Sequence, residues 1–413
     1  MVEKIESVII GGGQAGLSLS YYFTHAGSEH IVLEKSPQVA EAWRNRRWDS
    51  FALITPNWAF RLPGAEYTDS EPEGFMPKPE IVRRFEQYEQ KNHFPVRYST
   101  EVTRVEPIED HNRYRVVTDN KIYESKNVIL ATGMYQKVKI PLYAAQIPQD
   151  ILQIPSDAYR NPQTLPSGAV LVVGSAQSGC QIAEELHEAG RKVYLSTGTA
   201  GRMPRRYRGK DGVEWLNKIG FFDRTVANLT SPRDRFFAPP HSTGKGGGHD
   251  INLHKFSHDG IILLGHTRGY EDGKLVFASD LRENLAKSDG FAANLVKMVD
   301  EYILKSAMNI PLEEVLTLAD GYQAPEIHFL DLLAEGISVI IWACGYLLDY
   351  SLVQLPLLDS YGYPSADRGV TQYPGLYLLG IPWMNMFKSG LLMGIGESAQ
   401  YLAEVLCEDK HLQ

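Results

Sequence analysis

The sequence predicts an α/β fold in which a strand, a glycine-rich turn and a helix follow one another twice. Two observations carry this prediction. The turn Gly11–Gly16 directly follows a short apolar run near the start of the chain, and a similar turn, Gly174–Gly179, follows another apolar run near its middle. The chain has 413 residues, which is enough for two domains of ordinary size.

The first turn lies within a βαβ pattern. Ser7–Ile10 predicts a strand, Leu17–Phe23 a helix, and Ile31–Leu33 a second strand, which is followed by the acid Glu34. Glycines at this spacing permit a tight turn and a close approach of the backbone to a pyrophosphate, while the acid accepts hydrogen bonds from a ribose. The helix N-terminus adds free N–H groups. We therefore predict a Rossmann-like dinucleotide-binding domain, with FAD as the expected cofactor.

The second turn lies in a similar pattern, in which Ala176 replaces the middle glycine and is small enough to keep the approach to a pyrophosphate close. The second strand of this pattern, Val193–Ser196, ends without an acid. Ser196 stands in the acid's place, and Arg205 and Arg206 follow within a basic stretch, residues 202–210. A carboxylate would repel the 2′-phosphate of NADP, whereas serine and arginine side chains would accept it. NADP, supplied as NADPH, is therefore expected rather than NAD. The alternative is that the basic stretch is a solvated surface loop.

The two units are expected to form one discontinuous and one inserted domain. The N-terminal part of the chain supplies too few strands for a complete sheet, and apolar runs that predict strands recur at Ile337–Trp342 and Leu376–Leu379. We predict an FAD-binding domain of residues 1–163 and 330–413, with an NADP-binding domain of residues 164–329 inserted into it.

Two further segments are expected to be loops. Gln163–Gly168 contains proline, serine and glycine, which favours a linker between the domains. His241–Gly248 is rich in glycine and is predicted to be a mobile surface loop.

Charge and hydropathy argue against several classes of partner. The formal net charge is −9, so no overall basic field attracts nucleic acid or an anionic membrane. The longest apolar run, Ile337–Leu348, is too short to cross a bilayer. We expect a cytoplasmic protein that binds neither nucleic acid nor membrane. The oligomeric state is left open, with a homodimer as one expectation.

The cysteines and histidines do not form the pattern of a redox or metal site. Cys180, Cys344 and Cys407 are scattered and include no Cys-x-x-Cys pair, which argues against dithiol reductases. His254 and His258 have the spacing of a metal-binding pair on a helix, but no third ligand is evident. We therefore expect structural cysteines and no metal.

Several other segments match one known family. They are Trp43-Arg44, Arg47–Phe51 with Thr55–Asn57, Ala131–Gly133, Trp342–Tyr346, and Ser389–Leu392 with Gly394 and Gly396. On these segments the chain resembles, over nearly its whole length, the single-component flavin-containing monooxygenases, which include the plant auxin-forming enzymes and many bacterial proteins. Cys344 replaces a threonine of the family pattern. Gln153 stands where the family motif between the domains has a histidine.

The resemblance implies a reaction in which the cofactors carry the organic chemistry. NADPH would reduce FAD, and the reduced flavin would react with O2 to give a C4a-hydroperoxyflavin. A nitrogen, sulfur or carbon centre of a small-molecule substrate would then take one oxygen atom, while the other leaves as water. The alternative is an FAD and NADPH oxidoreductase or oxidase that inserts no oxygen, and Gln153 keeps it open. A non-catalytic flavin-binding protein is a second alternative.

Two residues are expected to act near the reactive part of the flavin. The amide of Asn57 can donate a hydrogen bond to a developing peroxide oxygen without carrying charge; the alternative is a turn residue after Pro56. Gln153 could hold the nicotinamide amide or its ribose, with a structural role in the linker as the alternative. Trp383, Met384, Met386 and Phe387 would form an apolar substrate wall, unless they only pack the core.

The spacing of the two turns and the resemblance together give the expected cofactor contacts. For the first cofactor they are Gly11, Gly13, Gln14, Ala15, Gly16, Glu34, Lys35, Trp43, Arg44, Trp48, Thr55, Val102, Ala131, Thr132, Gly133, Gly380, Ser389, Gly390 and Leu391. For the second cofactor and the junction they are Gly174, Ser175, Gln177, Ser178, Gly179, Ser196, Arg205, Arg206 and Gly345.

Overall fold

Two sheets of mainly parallel strands organise the protein in the computed structural model, which describes residues 2–108 and 113–408. The strands are β1 (Val2–Ile10), β2 (His30–Leu33), β3 (Arg61–Leu62), β4 (Ala65–Glu66), β5 (Val96–Arg97), β6 (Val102–Ile108), β7 (Arg113–Thr118), β8 (Ile122–Leu130), β9 (Lys137–Val138), β10 (Leu152–Pro155), β11 (Ala169–Val173), β12 (Val193–Ser196), β13 (Arg206–Tyr207), β14 (Lys210–Asp211), β15 (Ile262–Leu264), β16 (Thr267–Glu271), β17 (Lys274–Phe277), β18 (Phe329–Asp331), β19 (Ile337–Trp342), β20 (Tyr346–Leu347), β21 (Ala366–Asp367), β22 (Val370–Thr371) and β23 (Leu376–Leu378). The helices are α1 (Gln14–His25), α2 (Glu41–Arg44), α3 (Lys78–Asn92), α4 (Gln177–Glu188), α5 (Gly212–Lys218), α6 (Leu253–Asp259), α7 (Leu281–Lys305) and α8 (Ile395–Glu408).

The first sheet has the strand order β21-β22-β23-β8-β1-β2-β5, and the hairpin β6-β7 is attached through β8. Strands β5, β2, β1, β8 and β23 are parallel to one another. The last four residues of β1 are buried, as expected for a parallel strand that is covered on both faces. Since parallel strands end at the same edge of a sheet, the loops after β1, β2, β8 and β23 meet there.

The second sheet has the order β10-β19-β11-β12-β15, and its neighbouring strands are all parallel. All five residues of β11 are buried. Helix α4 follows β11 as α1 follows β1. The predicted α/β fold with two Rossmann-like units is therefore confirmed.

The membership of two strands differs from the sequence-based division. The prediction that Ile337–Trp342 completes the first sheet is wrong: as β19 it pairs with β10 and β11 in the second sheet. Strand β10 also belongs there, although it precedes the boundary predicted at residue 163. Of the two late apolar runs, Leu376–Leu378 alone joins the first sheet, beside β8. The sequence of an apolar run does not specify which of two similar sheets the strand will join.

The chain passes between the two units along a short ribbon. Strand β9 on the outward path pairs antiparallel with β20 on the return path, with Val138 opposite Tyr346. The segment Gln163–Gly168, predicted as the linker, instead connects β10 and β11 within the second sheet. We therefore propose that the inserted unit runs from about the end of β9 to the start of β20.

The hydrophobic core is shared by the two units. One face of the first sheet, including Ile9, belongs to a cluster that also contains Val172 of the second sheet. The opposite face, including Val8, belongs to a cluster with Phe222, which lies between the second sheet's strands in sequence. Within the described part of the chain, no helix combines the length and the apolar character needed to cross a membrane.

Candidate functional site

The first glycine-rich turn is closed tightly against the end of β8. Gly11 has φ 110°, and a Cβ atom there would lie 2.5 Å from the carbonyl oxygen of Ala131. A Cβ atom at Gly16 would overlap the carbonyl oxygen of Gly11. At Gly13, by contrast, no described atom beyond its chain neighbours lies within 4 Å of where a Cβ atom would stand. The turn therefore leaves open space at its middle glycine, where a pyrophosphate would approach the backbone.

Contacts around this turn bring together residues from distant parts of the chain. The backbone N–H of Gly12 donates to Glu34 Oε2 at 2.7 Å, and the Gln14 amide donates to the carbonyl oxygen of Gly390 at 2.7 Å. Ala15 lies against Gly380, because a Cβ atom added at Gly380 would lie 2.6 Å from the Cβ atom of Ala15. The predicted first-cofactor residues at the N-terminus, after β8 and near the C-terminus thus lie at one sheet edge.

The second turn repeats the first closely. A Cβ atom at Gly174 would lie 2.5 Å from the carbonyl oxygen of Ala343, and one at Gly179 would overlap the carbonyl oxygen of Gly174. Ala343, Cys344 and Gly345 form an Ala-x-Gly motif, just as Ala131, Thr132 and Gly133 do. The two Ala-x-Gly motifs therefore support one turn each, and Gly345 lies at the second turn.

Both helices that begin at these turns present free donors. Neither α1 nor α4 has a side-chain cap at its N-terminus, and neither has an acidic residue in its first turn. The first backbone N–H groups of a helix lack partners within the helix, and the helix dipole favours negative charge there. Together with the glycine cradles, these ends fit the phosphates of two dinucleotides.

The basic stretch after β12 differs from its predicted role. Arg205 is 2% exposed, and its guanidinium pairs with the buried carboxylate of Asp211. The expectation that Arg205 reads a 2′-phosphate is therefore not supported, because its charge is neutralised inside the protein. Arg206 is exposed and stays a candidate. Ser196 is buried and donates to the carbonyl oxygen of Gly265 at 2.9 Å.

Two serines of the second turn are placed differently. Ser175 is 1% exposed, and its hydroxyl accepts a hydrogen bond from the N–H of Gly198 at 2.9 Å. It therefore fixes the loop that follows β12. Ser178 is half-buried in the first turn of α4, within reach of a phosphate bound at the helix end.

The segment His241–Gly248, which we call the strap, is not simply a mobile surface loop as predicted. Its first half is buried, with His241 and Thr243 both fully enclosed. Ser242 forms two backbone hydrogen bonds with the amide of Gln177, one of them from its N–H to Oε1 at 3.1 Å. The strap thus covers the start of α4; Gly244 belongs to its buried part, and Gly246–Gly248 follow after it.

His241 is held neutral within the strap. Its Nε2 is hydrogen-bonded to the carbonyl oxygen of Ser175, while its Nδ1 is buried without a partner in the described structure. Burial, helped by the nearby charge of Arg202, lowers the pKa of His241 to about 4. A second ring proton would have no acceptor, which is why the neutral form is favoured.

Asn57 lies at the junction between the units. It is 4% exposed, its Nδ2 donates to the carbonyl oxygen of Glu71 at 2.9 Å, and its Oδ1 has no hydrogen-bond partner among the described residues. Just before it, the carbonyl oxygen of Ile54 accepts from Arg205 at 2.8 Å. A buried amide oxygen without a partner is costly unless a ligand or water completes it.

The same junction borders the C-terminal turn that is predicted to contact FAD. Shortly after Asn57, the N–H of Arg61 donates to the carbonyl oxygen of Leu392 at 3.3 Å. Leu391 and Ser389 lie in the turn before it, where the Ser389 hydroxyl accepts from the N–H of Met386 at 3.0 Å. The predicted Asn57 and Ser389–Leu391 segments are therefore neighbours.

Gln153 is used by the protein itself. It lies on β10 at the edge of the second sheet, where its Nε2 donates to the carbonyl oxygen of Ala144 at 3.1 Å and its Oε1 accepts from the indole N–H of Trp342 at 3.2 Å. Both ends of the amide are thus occupied, which supports the structural alternative over nicotinamide binding.

The aromatic residues beside the first turn pack against one another. Trp48 is 4% exposed, and its ring lies 5.2 Å from that of Phe51. Arg44 donates to the carbonyl oxygen of Val39 at 3.0 Å and pairs with Glu86. These contacts make the segment a fixed wall.

An arginine ties this wall to the end of β8. The guanidinium of Arg47 lies 5.5 Å from the Trp43 ring centre and 5.2 Å from that of Tyr135, two residues past Gly133. Thr132 accepts from the amide of Gln136 at 2.7 Å.

The remaining predicted contacts lie at the rim. Thr55 and Val102 are half-buried and Lys35 is exposed. The N–H of Thr100, just before β6, donates to the backbone oxygen of Glu34 at 2.9 Å, which brings Val102 toward the first turn.

The described cysteines and histidines do not assemble a redox or metal site. Burial raises the pKa of Cys180 and raises that of Cys344 to about 11, so both are thiols at neutral pH. His254 bonds to Asp289 at 3.0 Å, whereas His258 bonds to Asp320 at 3.0 Å. Within residues 2–108 and 113–408, no group of three potential metal ligands occurs.

An aromatic group near the C-terminal turn combines predicted and unpredicted residues. Trp383 and Phe387 have ring centres 5.1 Å apart, and Phe387 stacks on Phe222 at 6.0 Å. Trp383 has φ 70°, a conformation that bulky side chains rarely adopt and that often marks functional positions. Phe222 was missed because no local spacing connects it with the C-terminal turn.

Comparisons with known proteins support this architecture. The chain matches the pyridine nucleotide-disulphide oxidoreductase family over residues 8–217. It is 30% identical over 404 residues to an uncharacterized CzcO-like oxidoreductase of Geobacillus kaustophilus, an alignment that covers 97% of this chain and 98% of that protein.

Two further proteins are similar at lower identity. A probable indole-3-pyruvate monooxygenase of Arabidopsis thaliana, YUCCA10, is 25% identical over 336 residues, covering 69% of this chain and 86% of that protein. The solved flavin-containing monooxygenase from Stenotrophomonas maltophilia has a TM-score of 0.66 at 20% identity and covers 98% of this chain and 99% of its own. This last likeness concerns the fold.

Proposed function

The chain belongs to the pyridine nucleotide-disulphide oxidoreductase family, and we propose that it is an FAD-dependent monooxygenase that uses NADPH and O2 to oxygenate a small-molecule substrate. One observation carries the proposal: two phosphate-binding turns of matching geometry flank a junction where a buried amide oxygen, Asn57 Oδ1, has no partner among the described residues. Such a junction can place a nicotinamide and a flavin against one another.

Each of the two units would bind one cofactor through its glycine-rich turn. The first turn, with Glu34 at its edge and the Gln14–Gly390 contact beside it, would hold FAD. The second turn would hold NADPH, with the exposed Arg206 as the candidate partner for its 2′-phosphate. When bound, the flavin supplies hydride acceptance and oxygen activation, while the protein fixes the distance between the cofactors.

Asn57 would provide the uncharged polar contact at the reactive edge. Its amide can donate one hydrogen bond and accept another, and Glu71 already fixes its orientation. The apolar group around Trp383 and Phe387 would exclude water from the same edge. A dry, preoriented site strengthens such hydrogen bonds.

The names of two similar proteins favour oxygen insertion over simple oxidation. The Stenotrophomonas protein is a flavin-containing monooxygenase, and the Arabidopsis protein is named as a probable monooxygenase. The competing function is an FAD and NADPH oxidoreductase that releases hydrogen peroxide. Gln153 favours that alternative, because the position matched to the family histidine is occupied by an amide with both ends bonded.

The proposal can be tested by oxygen accounting. Purified holoenzyme would be supplied with NADPH, 18O2 and, separately, thioanisole, N,N-dimethylbenzylamine or phenylacetone as sulfide, amine and ketone probes. One labelled oxygen atom in a product, with NADPH consumption matching product formation, is expected. NADPH consumption matched by hydrogen peroxide, with no labelled product from any probe, would establish the oxidase alternative instead.

A substrate-independent measurement adds to this test. Enzyme reduced anaerobically by NADPH would be mixed with oxygenated buffer. A lag between oxygen consumption and the return of oxidised-flavin absorbance is expected for a monooxygenase. The variant Asn57→Ala should shorten this lag while leaving the rate of flavin reduction within about twofold, since its amide would act after hydride transfer.

A further inference from the structure

An arginine lies on the aromatic group beside the C-terminal turn. The guanidinium carbon of Arg224 is 3.7 Å from the ring centre of Phe221 and 5.7 Å from that of Trp383. Its Nε donates to the backbone oxygen of Phe221 at 3.1 Å. The stacked ring and the hydrogen bond hold the guanidinium plane in one orientation.

The charge of Arg224 is not matched by an acid. Over residues 2–108 and 113–408, no carboxylate forms an ion pair with it, and burial lowers its pKa without an opposing charge. Arg235 shows the contrasting arrangement: it lies 4.2 Å from the Tyr363 ring centre but pairs with Asp359 at 2.8 Å. A half-buried cation that lies on aromatic rings and has no counter-ion is stabilised when an anionic ligand pairs with it.

The position of Arg224 is fixed relative to the cofactor turn. Its backbone oxygen accepts from the N–H of Phe387 at 2.8 Å, and the next residue, Thr225, forms a β-bridge with Met386. Phe387 begins the turn that ends at Gly390, which accepts from Gln14 of the first phosphate-binding turn. Arg224 is thus attached directly to the segment that borders the first cofactor site.

The turn that carries Trp383 is built to keep its ring in place. Trp383 adopts its left-handed backbone conformation with its N–H bonded to the backbone oxygen of Met386 at 2.8 Å. The hydroxyl of Tyr363 is bonded to the preceding residue, Pro382. Trp383 and Phe387 are 5% and 7% exposed and belong to one core cluster, so they form a fixed apolar surface beside the guanidinium.

We propose that Arg224 binds the carboxylate of the substrate while Phe221, Trp383 and Phe387 contact its apolar body, so that the enzyme acts on small organic acids with an aromatic or similarly apolar group. This proposal rests on the proposed function. The two terminal nitrogens of Arg224 form no hydrogen bond within the described part of the chain and match a carboxylate in a bidentate arrangement. The surrounding rings lower the local dielectric, which strengthens the pair.

The test is a binding titration of the oxidised, FAD-containing enzyme by calorimetry. The probes are phenylacetate and its neutral analogue phenylacetamide. Wild-type enzyme is expected to bind phenylacetate roughly tenfold to hundredfold more tightly, as for a charge-assisted pair. Arg224→Gln should abolish this preference, Arg224→Lys should retain part of it, and the control Arg235→Gln should retain it fully.

Each outcome has a stated meaning. Equal binding of the two probes, binding of neither, or an undiminished preference in Arg224→Gln would overturn the proposal. A raised KM for NADPH in Arg224→Gln, with the carboxylate preference intact, would assign Arg224 to a cofactor phosphate and overturn it equally. Because the titration involves no oxygen, absence of 18O incorporation would reject the monooxygenase function while leaving the carboxylate preference measurable.

Discussion

At the scale of single residues, the glycines of the first turn carry different constraints. Gly11 and Gly16 are confined by the protein itself, since a side chain at either would meet a carbonyl oxygen. Gly13 is not: its φ of −82° and ψ of −169° suit any residue, and the space around it is open. The equivalent residue of the second turn is Ala176, with nearly the same φ of −78° and ψ of −171°. This backbone therefore accepts a methyl group, and only a larger side chain would fill the space expected for the ligand.

We therefore expect Gly13→Leu to fold normally and to bind FAD poorly. The added isobutyl group would project into the space of the pyrophosphate, so the affinity for FAD should fall at least about tenfold, or about 1.4 kcal/mol. The stability of the cofactor-free protein should change by less than about 0.5 kcal/mol. Fluorescence titration with FAD and thermal unfolding of the apoprotein measure the two effects.

Gly290 offers a matched control for this substitution. It lies within α7, and a Cβ atom added there would meet no atom of another element within 4 Å. Gly290→Leu should leave FAD affinity unchanged and raise stability by about 0.5–1 kcal/mol through helix propensity. An equal loss of FAD affinity in both variants would show that the effect at Gly13 is indirect.

Arg205 and Arg206 are neighbours with opposite expected effects. Arg205→Met should lower the free energy of unfolding by about 3–5 kcal/mol, because it leaves the buried carboxylate of Asp211 without its partner. Arg206→Met, at an exposed position, should change stability by less than about 0.5 kcal/mol while raising the KM for NADPH relative to NADH. Urea unfolding and steady-state kinetics with both nucleotides separate the two effects; a stable Arg205→Met protein would contradict the assignment.

Sequence spacing identified some of these residues and not others for a physical reason. Glu34 and the turn glycines act through a local strand-turn-helix geometry, which spacing describes well. Whether Arg205 is free depends on Asp211 and on the strap, which come together only in the folded protein. Arg224 was overlooked for the same reason, since its rings come from both units.

At the scale of elements, the strap shows how composition misleads. Its glycines indicate a flexible loop, and Gly246 to Gly248 are indeed half-buried or exposed, whereas Gly244 is buried. Its first residues instead pack between Gln177 and Arg205. Composition describes the backbone freedom of the glycines, but burial of the preceding polar residues depends on partners from α4 and the basic stretch.

The strap predicts a stability loss in mild acid. His241 has a pKa lowered from 6.5 to about 4 in the folded protein, so below pH 6.5 the unfolded chain takes up a proton that the folded chain does not. The titration of His241 should therefore leave the free energy of unfolding unchanged above pH 6.5. Between pH 6.5 and pH 4 it should lower that free energy by at most about 1.4 kcal/mol per pH unit, in total on the order of 3 kcal/mol. Urea unfolding between pH 7.5 and 4.5 measures it.

The variant His241→Gln isolates this contribution from other titrating groups. It should be less stable than wild type at pH 7.5, and the difference between the two proteins should shrink as the pH falls. A constant difference between His241→Gln and wild type across this range would show that His241 is not held neutral.

At the scale of the whole molecule, the two units resemble each other too closely for strand membership to be read from the sequence. The two Ala-x-Gly motifs end β8 and β19, and each closes its own glycine turn. The presence of both turns predicts two sheets, but nothing in the short sequences of β10 and β19 indicates which sheet they join. The parallel pairing of β19 with β11, and of β10 with β19, decides the division, and that pairing is a long-range property of the fold.

The shared core predicts cooperative unfolding in spite of the two-sheet architecture. Both faces of the first sheet belong to clusters that include residues of the inserted unit, so neither unit can lose its structure without exposing apolar surface of the other. We expect one calorimetric transition for the holoenzyme, coincident with FAD release followed by flavin fluorescence. Saturating NADPH analogue should shift this single transition upward by mass action. Two separate transitions, with FAD release in only one of them, would mean that the units are coupled by the β9–β20 ribbon alone, and that the junction around Asn57 opens independently of either sheet.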